Sequence, residues 1–205
     1  MKIVLSRDYT FEEKEKIKDA LMELLAEWAE MQDYRAYARL GKKIEQIMFG
    51  VDFLKNSQLR KVSSYTLYRA VLMDRKLFDK VRYGWEKVFK QKNRRYSSWA
   101  NSLSATKAFA NQVLVPKANH NQVVLIFRKT FKDAQIVINI PHFADEFNES
   151  TIEAPSEVRE VIIRNLNNDF EYEASDVLAV KYFPLKEKGW DKISKNMLIP
   201  EQFST

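Results

Sequence analysis

Cysteine is absent from this 205-residue chain. That removes disulfides, thiolate nucleophiles and cysteine-based zinc sites, and it fits a reducing compartment. Histidine is nearly absent as well: His120 and His142 stand alone, with no HExxH arrangement, which argues against a metal hydrolase and for no metal. Glycine occurs only at Gly41, Gly50, Gly84 and Gly189. Neither a GxGxxG turn nor a GxxxxGK[ST] loop can be written with these four, so a nucleotide would have to be held by another device. No apolar run approaches the roughly 18 residues that a membrane span needs. The start, "MKIVLSRDYTFEEKEK", turns charged too soon for a signal peptide. A soluble, cytoplasmic protein that does not engage a membrane is therefore expected.

What is present describes a globular chain: 45% apolar and 13% aromatic residues, enough to bury one substantial core. The net charge of +6 is a small excess of 34 basic over 28 acidic residues. Its clustering matters more than its sum. "KVFKQKNRRY" (87–96) holds five cations and no acid. Such a run is ordinarily a solvated helix end and loop, but it could also form a rim facing phosphate or nucleic acid.

Periodicity divides the chain. Thr10 and Glu13 form a capping box, after which Phe11, Ile17, Leu21, Leu24, Leu25, Trp28 and Met31 recur at helical spacing, as an apolar stripe destined for the core. A second helix is expected over about 33–54, striped by Tyr37, Leu40, Ile44, Ile47, Met48 and Val51, with Gly41 against it. Strands follow at 63–72, 122–128, 135–140, 158–164 and 175–185, the second apolar enough for burial on both faces. Helices are expected over 74–90 and about 103–112, and a long loop over 141–157. The sum is α+β: an N-terminal helical region (1–60) and a mostly β body (61–205), expected to form one compact unit.

Three polar residues interrupt this β body. Arg69 sits in "TLYRAV" on the same side of its strand as Leu67, a costly place unless something anionic meets it. Ser98 ends the strand "YSSWA" before a small helix closing in "AFA", and Glu160 stands in "REVII". Each alone reads as a surface residue, or Arg69 and Glu160 as an internal ion pair. In order, "LYRA", "SSWANSLSATKAFA" and "EVII" resemble the mono-ADP-ribosyltransferases of the arginine–serine–glutamate class, in particular the small phage-encoded enzymes. The resemblance covers about residues 63–185 and leaves the N-terminal helices unaddressed.

The resemblance implies a split β-sandwich with flanking helices, NAD as substrate, no metal, and transfer of ADP-ribose to a protein or nucleic-acid acceptor of a host cell with release of nicotinamide. It implies that Glu160 steadies the positive charge developing on the ribose, as carboxylates do in glycoside cleavage. Ser98 would hold Glu160, and Arg69 would meet the NAD phosphates. Ala70, Trp99 and Phe109 would join Arg69 and Ser98 in binding NAD. Two registers of the serine motif fit: Ser98-Trp99-Ala100, which matches better, or Ala100-Asn101-Ser102. Ala70 stands where the family commonly has Gly. Val158 stands where arginine-modifying members carry a second Glu, so arginine is disfavoured as acceptor, and Glu149 or Glu153 in the long loop could contact another one.

Two other readings compete. Tyr83, Trp85, Tyr96 and Trp99, taken as exposed beside the basic run 87–95, would make a non-enzymatic platform for single-stranded nucleic acid. Alternatively, a degenerate transferase fold would serve as an interaction protein that docks through its N-terminal helices.

Overall fold

The computed structural model describes residues 8–30, 34–55, 60–62, 64–91, 95–142, 160–165, 170–182 and 191–192. Helix α1 (Phe11–Glu30) opens on the expected box: the Glu13 N–H donates to Thr10 Oγ1 at 3.2 Å and the Thr10 N–H to Glu13 Oε2 at 3.0 Å. Its buried residues are Leu21, Leu25 and Trp28, one heptad face, whereas Phe11 is exposed and only begins the helix. Helix α2 (Tyr34–Gly50) buries Leu40, Ile44 and Met48, and a short α3 (Asp52–Lys55) follows. The single helix expected over 33–54 is thus broken at Gly50–Val51. No described helix is long and apolar enough to cross a membrane.

The body is built on β1 (Thr66–Asp74), β3 (Tyr96–Ala100), β4 (Gln122–Thr130), β5 (Ile136–Asn139), β6 (Glu160–Arg164), β8 (Val177–Tyr182) and β9 (Asp191–Lys192). These form one antiparallel sheet in the order β5-β6-β3-β1-β4-β8-β9. A two-stranded sheet of β2 (Val88–Gln91) and β7 (Phe170–Glu173) packs on one face, where Phe89 and Tyr172 meet Phe127 at ring-centroid distances of 5.7 and 4.1 Å. Helix α4 (Arg75–Arg82) adds Phe78 and Val81 to this layer. The opposite face is covered by α1 and α2 over β5, β6 and β3, through Val137, Ile138, Tyr96 and Ile162. Over β1 and β4 it is covered by α5 (Leu103–Phe109) and the π turn Ala110–Leu114, which bury Ala110 against Val124. Strand β4 is therefore covered on both sides, as its unbroken apolar run predicted. Helices first and an antiparallel β body after make the chain α+β.

The helix expected over 74–90 stops at Arg82. Gly84 takes a φ of 76°, a left-handed conformation that suits glycine and turns the chain into β2. Trp85, just past this turn, is 76% exposed. The loop expected over 141–157 lies mostly outside the described residues, as do Glu149, Glu153 and Val158.

Candidate active site

Two pairings bring Ser98 and Glu160 onto one face of the sheet and set Arg69 one residue off their rung, where strand alternation turns it the other way, within electrostatic reach of Glu160. Ala100 on β3 faces Tyr68 on β1 and Glu160 on β6, so a single rung crosses three strands. Arg69 is next to one end of the rung, Glu160 is the other end, and Ser98 lies two residues along β3. Side chains two apart share a face, which sets Ser98 beside Glu160. The pairing of β1 with β3 is carried by that one rung, whereas β3 and β6 pair over five residues.

Trp28 of α1 closes the site. Its indole N–H lies 2.6 Å from Glu160 Oε1 and 3.1 Å from Ser98 Oγ. Ser98 is also hydrogen-bonded to Glu160. Burial pushes the Glu160 carboxyl above its ordinary value of 4.5. The hydrogen bonds from Ser98 and Trp28 and the positive charge of Arg69 oppose that rise without cancelling it. Arg69 Nη1 is buried and has no hydrogen-bond partner. A planar cation with an unused buried donor is a ready receptor for anionic oxygen. Asn101 Oδ1 is a second buried atom without a partner, one residue beyond the rung.

The adjacent serines divide their duties by strand alternation. Ser98 faces Glu160, while Ser97 is buried on the other side and accepts from Trp99 Nε1 at 3.0 Å. Trp99 corrects the expectation that it contacts NAD. It is 2% exposed, packed edge-on to Phe131 at 4.7 Å and against Tyr172, in the core between the two sheets. Ala70 shares the face of Tyr68 and packs by the π turn, and Phe109 ends α5, partly exposed. Ser102, from the other register of the motif, is the N-cap of α5: it accepts from the Ala105 N–H at 3.3 Å. That duty leaves Ser98 as the serine at the carboxylate.

Trp28 was not distinguishable in the sequence from its stripe-mates Leu21 and Leu25. Only the fold reveals that its polar edge reaches β6. The four aromatics do not form one exposed platform. Tyr96 and Trp99 are buried, while Tyr83 and Trp85 remain exposed, with ring centroids 6.1 Å apart. Within the basic run, Lys90 pairs with Glu171 at 3.0 Å. Among the described residues no group of three or more His, Asp or Glu is placed to hold a metal ion.

No protein-family model matches the chain, and no curated protein matches it. Among solved structures the chain is similar to Vis toxin, an ADP-ribosyltransferase from Vibrio splendidus, at 16% identity, with 92% of this chain and 76% of that chain covered and a TM-score of 0.31.

Proposed function

We propose that this chain transfers ADP-ribose from NAD to an acceptor macromolecule and releases nicotinamide. The observation that carries the reading is the enclosed carboxyl of Glu160, held by Ser98 and Trp28, with the unpartnered buried guanidinium nitrogen of Arg69 in its electrostatic reach. A carboxylate fixed where water is scarce acts strongly on a cation forming beside it, because little solvent screens the pair. In the proposed reaction the bond between ribose C1′ and the nicotinamide nitrogen breaks, and its electron pair leaves with neutral nicotinamide. Glu160 steadies the positive charge left on the ribose. The acceptor then bonds to C1′ and gives up its proton. Arg69 supplies charged donors that fit the pyrophosphate, and Ser98 keeps the carboxylate in one rotamer.

The acceptor belongs to a host cell, in keeping with the resemblance to the phage-encoded enzymes, and the chain would act in the host cytoplasm. With Val158 where arginine-modifying members have Glu, another protein side chain or a nucleic acid is preferred; water as acceptor would give NAD hydrolysis. Release of nicotinamide from NAD, with and without host-cell extract, tests the reading. Glu160→Gln should lower turnover roughly a hundredfold or more, the scale of losing one electrostatic stabiliser, with NAD affinity within a few-fold. Arg69→Ala should weaken NAD binding itself. No release under either condition, together with no NAD binding by calorimetry, would overturn it. Binding of single-stranded nucleic acid that falls steeply with salt and ignores Glu160→Gln would then favour the exposed Tyr83–Trp85 pair as a stacking platform.

A further inference from the structure

We infer that Trp28 is a positioning residue for Glu160, so that helix α1 belongs to the catalytic machinery and does more than cover the sheet. The inference rests on the reading of Glu160 as the carboxylate that meets the ribose. Trp28 lies 132 positions before Glu160 in the chain, outside the stretch that resembles any transferase motif. Its single N–H sits between two acceptors, closer to the carboxylate (2.6 Å) than to Ser98 Oγ (3.1 Å), as expected where one acceptor is charged. By approaching the lone-pair side of Ser98 Oγ, it leaves the serine proton to point at Glu160. One indole thus orders both members of the pair, in a chain whose hydrogen bonds reinforce one another.

The indole is itself held in place. It is 1% exposed, and Tyr37 of α2 packs edge-on against it at 4.6 Å. Leu21, Leu25, Leu40 and Ile44 belong to the same buried cluster. The type of donor matters as much as its position. An indole N–H only donates, so it favours the ionised carboxylate over the protonated acid. It also carries no charge. A lysine or arginine at this place would neutralise the carboxylate that the ribosyl cation needs, whereas Trp28 fixes its direction and leaves its charge in force. A buried tryptophan usually finds a partner for its N–H, and a backbone carbonyl would serve for packing alone. Here the partner is the one enclosed carboxyl of the site.

The test removes the N–H, in one variant with the bulk kept. Trp28→Phe is the first variant. Incorporation of benzothienylalanine at position 28, which has the shape of tryptophan without the N–H, guards against a folding defect. Two readouts are taken: titration of the Glu160 carboxyl by NMR with labelled glutamate, which needs no NAD, and the pH profile of nicotinamide release. Both variants should raise the Glu160 titration point, move the acidic limb of kcat/KM to higher pH, and lower kcat roughly ten- to a hundredfold, as for loss of a hydrogen bond to a charged group. KM should stay within a few-fold. An unchanged Glu160 titration in a folded variant overturns the inference, even if wild type turns over NAD normally. A raised titration point with no turnover in wild type removes the transferase reading instead, and upholds the control of Glu160 by Trp28.

Discussion

At the scale of the residue, Glu160 is the most consequential side chain, because its environment conflicts with its charge. Burial raises its carboxyl, and Ser98, Trp28 and Arg69 pull it back only in part. A carboxyl raised in the folded state binds more proton folded than unfolded. Its contribution to stability is therefore complete below 4.5, the ordinary value, and is lost as pH rises through the raised one. Relative to Glu160→Gln, which cannot ionise, wild type should lose stability steadily over that window. Urea unfolding of both proteins between about pH 4 and about pH 7 measures the difference, and a flat difference would show that the carboxyl is not desolvated. Arg69, Ser98 and Glu160 stood out in the sequence as polar residues in apolar runs, but only the resemblance joined them, and the fold sets Ser98 beside Glu160. Trp28 was hidden because an apolar stripe looks the same whether or not one member carries an N–H toward a site. Trp99 misled because it adjoins Ser98 in sequence, although alternation sends it to the opposite face.

At the scale of the element, helix α2 is bound to the sheet by shape and by charge. Gly41 sits against Tyr96, where a methyl group would overlap the Cβ and ring root of the tyrosine. One turn on, Glu45 accepts from the Tyr96 hydroxyl and pairs with Arg164 at the end of β6. Burial and the neighbouring Glu45 carboxylate push the Tyr96 phenol well up, so it remains a donor. The glycine that counted against a helix in the sequence is the residue that lets this helix lie close. Gly41→Ala should cost about 1–3 kcal/mol by overpacking. Gly50→Ala, with open space around it, should be near neutral or slightly stabilising. Chemical denaturation of the two variants decides, and equal effects would mean that propensity outweighs the close approach. Strand content was legible where apolar runs were long, as in β4. It was not in β2 and β7, whose Val88–Gln91 and Phe170–Glu173 each mix apolar with charged residues over only four positions.

At the scale of the whole molecule, the helical N-terminal region and the β body share one core. Tyr96, Val137, Ile138 and Ile162 of the sheet are buried against Leu21, Leu25, Leu40 and Ile44 of the helices. Removing residues 1–60 would uncover that face of β3, β5 and β6, at a cost of roughly 25 cal/mol for each Å² of apolar surface returned to water. The fragment 61–205 should therefore lack a cooperative thermal transition and bind the dye ANS. A sharp transition without dye binding would show that the body folds alone. A change of periodicity near residue 60 and one compact unit were legible in the sequence, but which strands the helical stripes would meet was not, since periodicity says which face is apolar and not what it meets.

The position of β6 between β5 and β3 has one more consequence, for a chain still being synthesised. Residues 96–100 and 136–139 emerge from the ribosome before their common neighbour exists, so the sheet has a gap that only residues 160–164 can fill. The strand that fills it begins with Glu160. A chain terminated before this point therefore lacks the strand between β5 and β3 and its carboxylate at the same moment. Sheet continuity and the carboxylate arrive with a single insertion, near four-fifths of the way along the 205 residues.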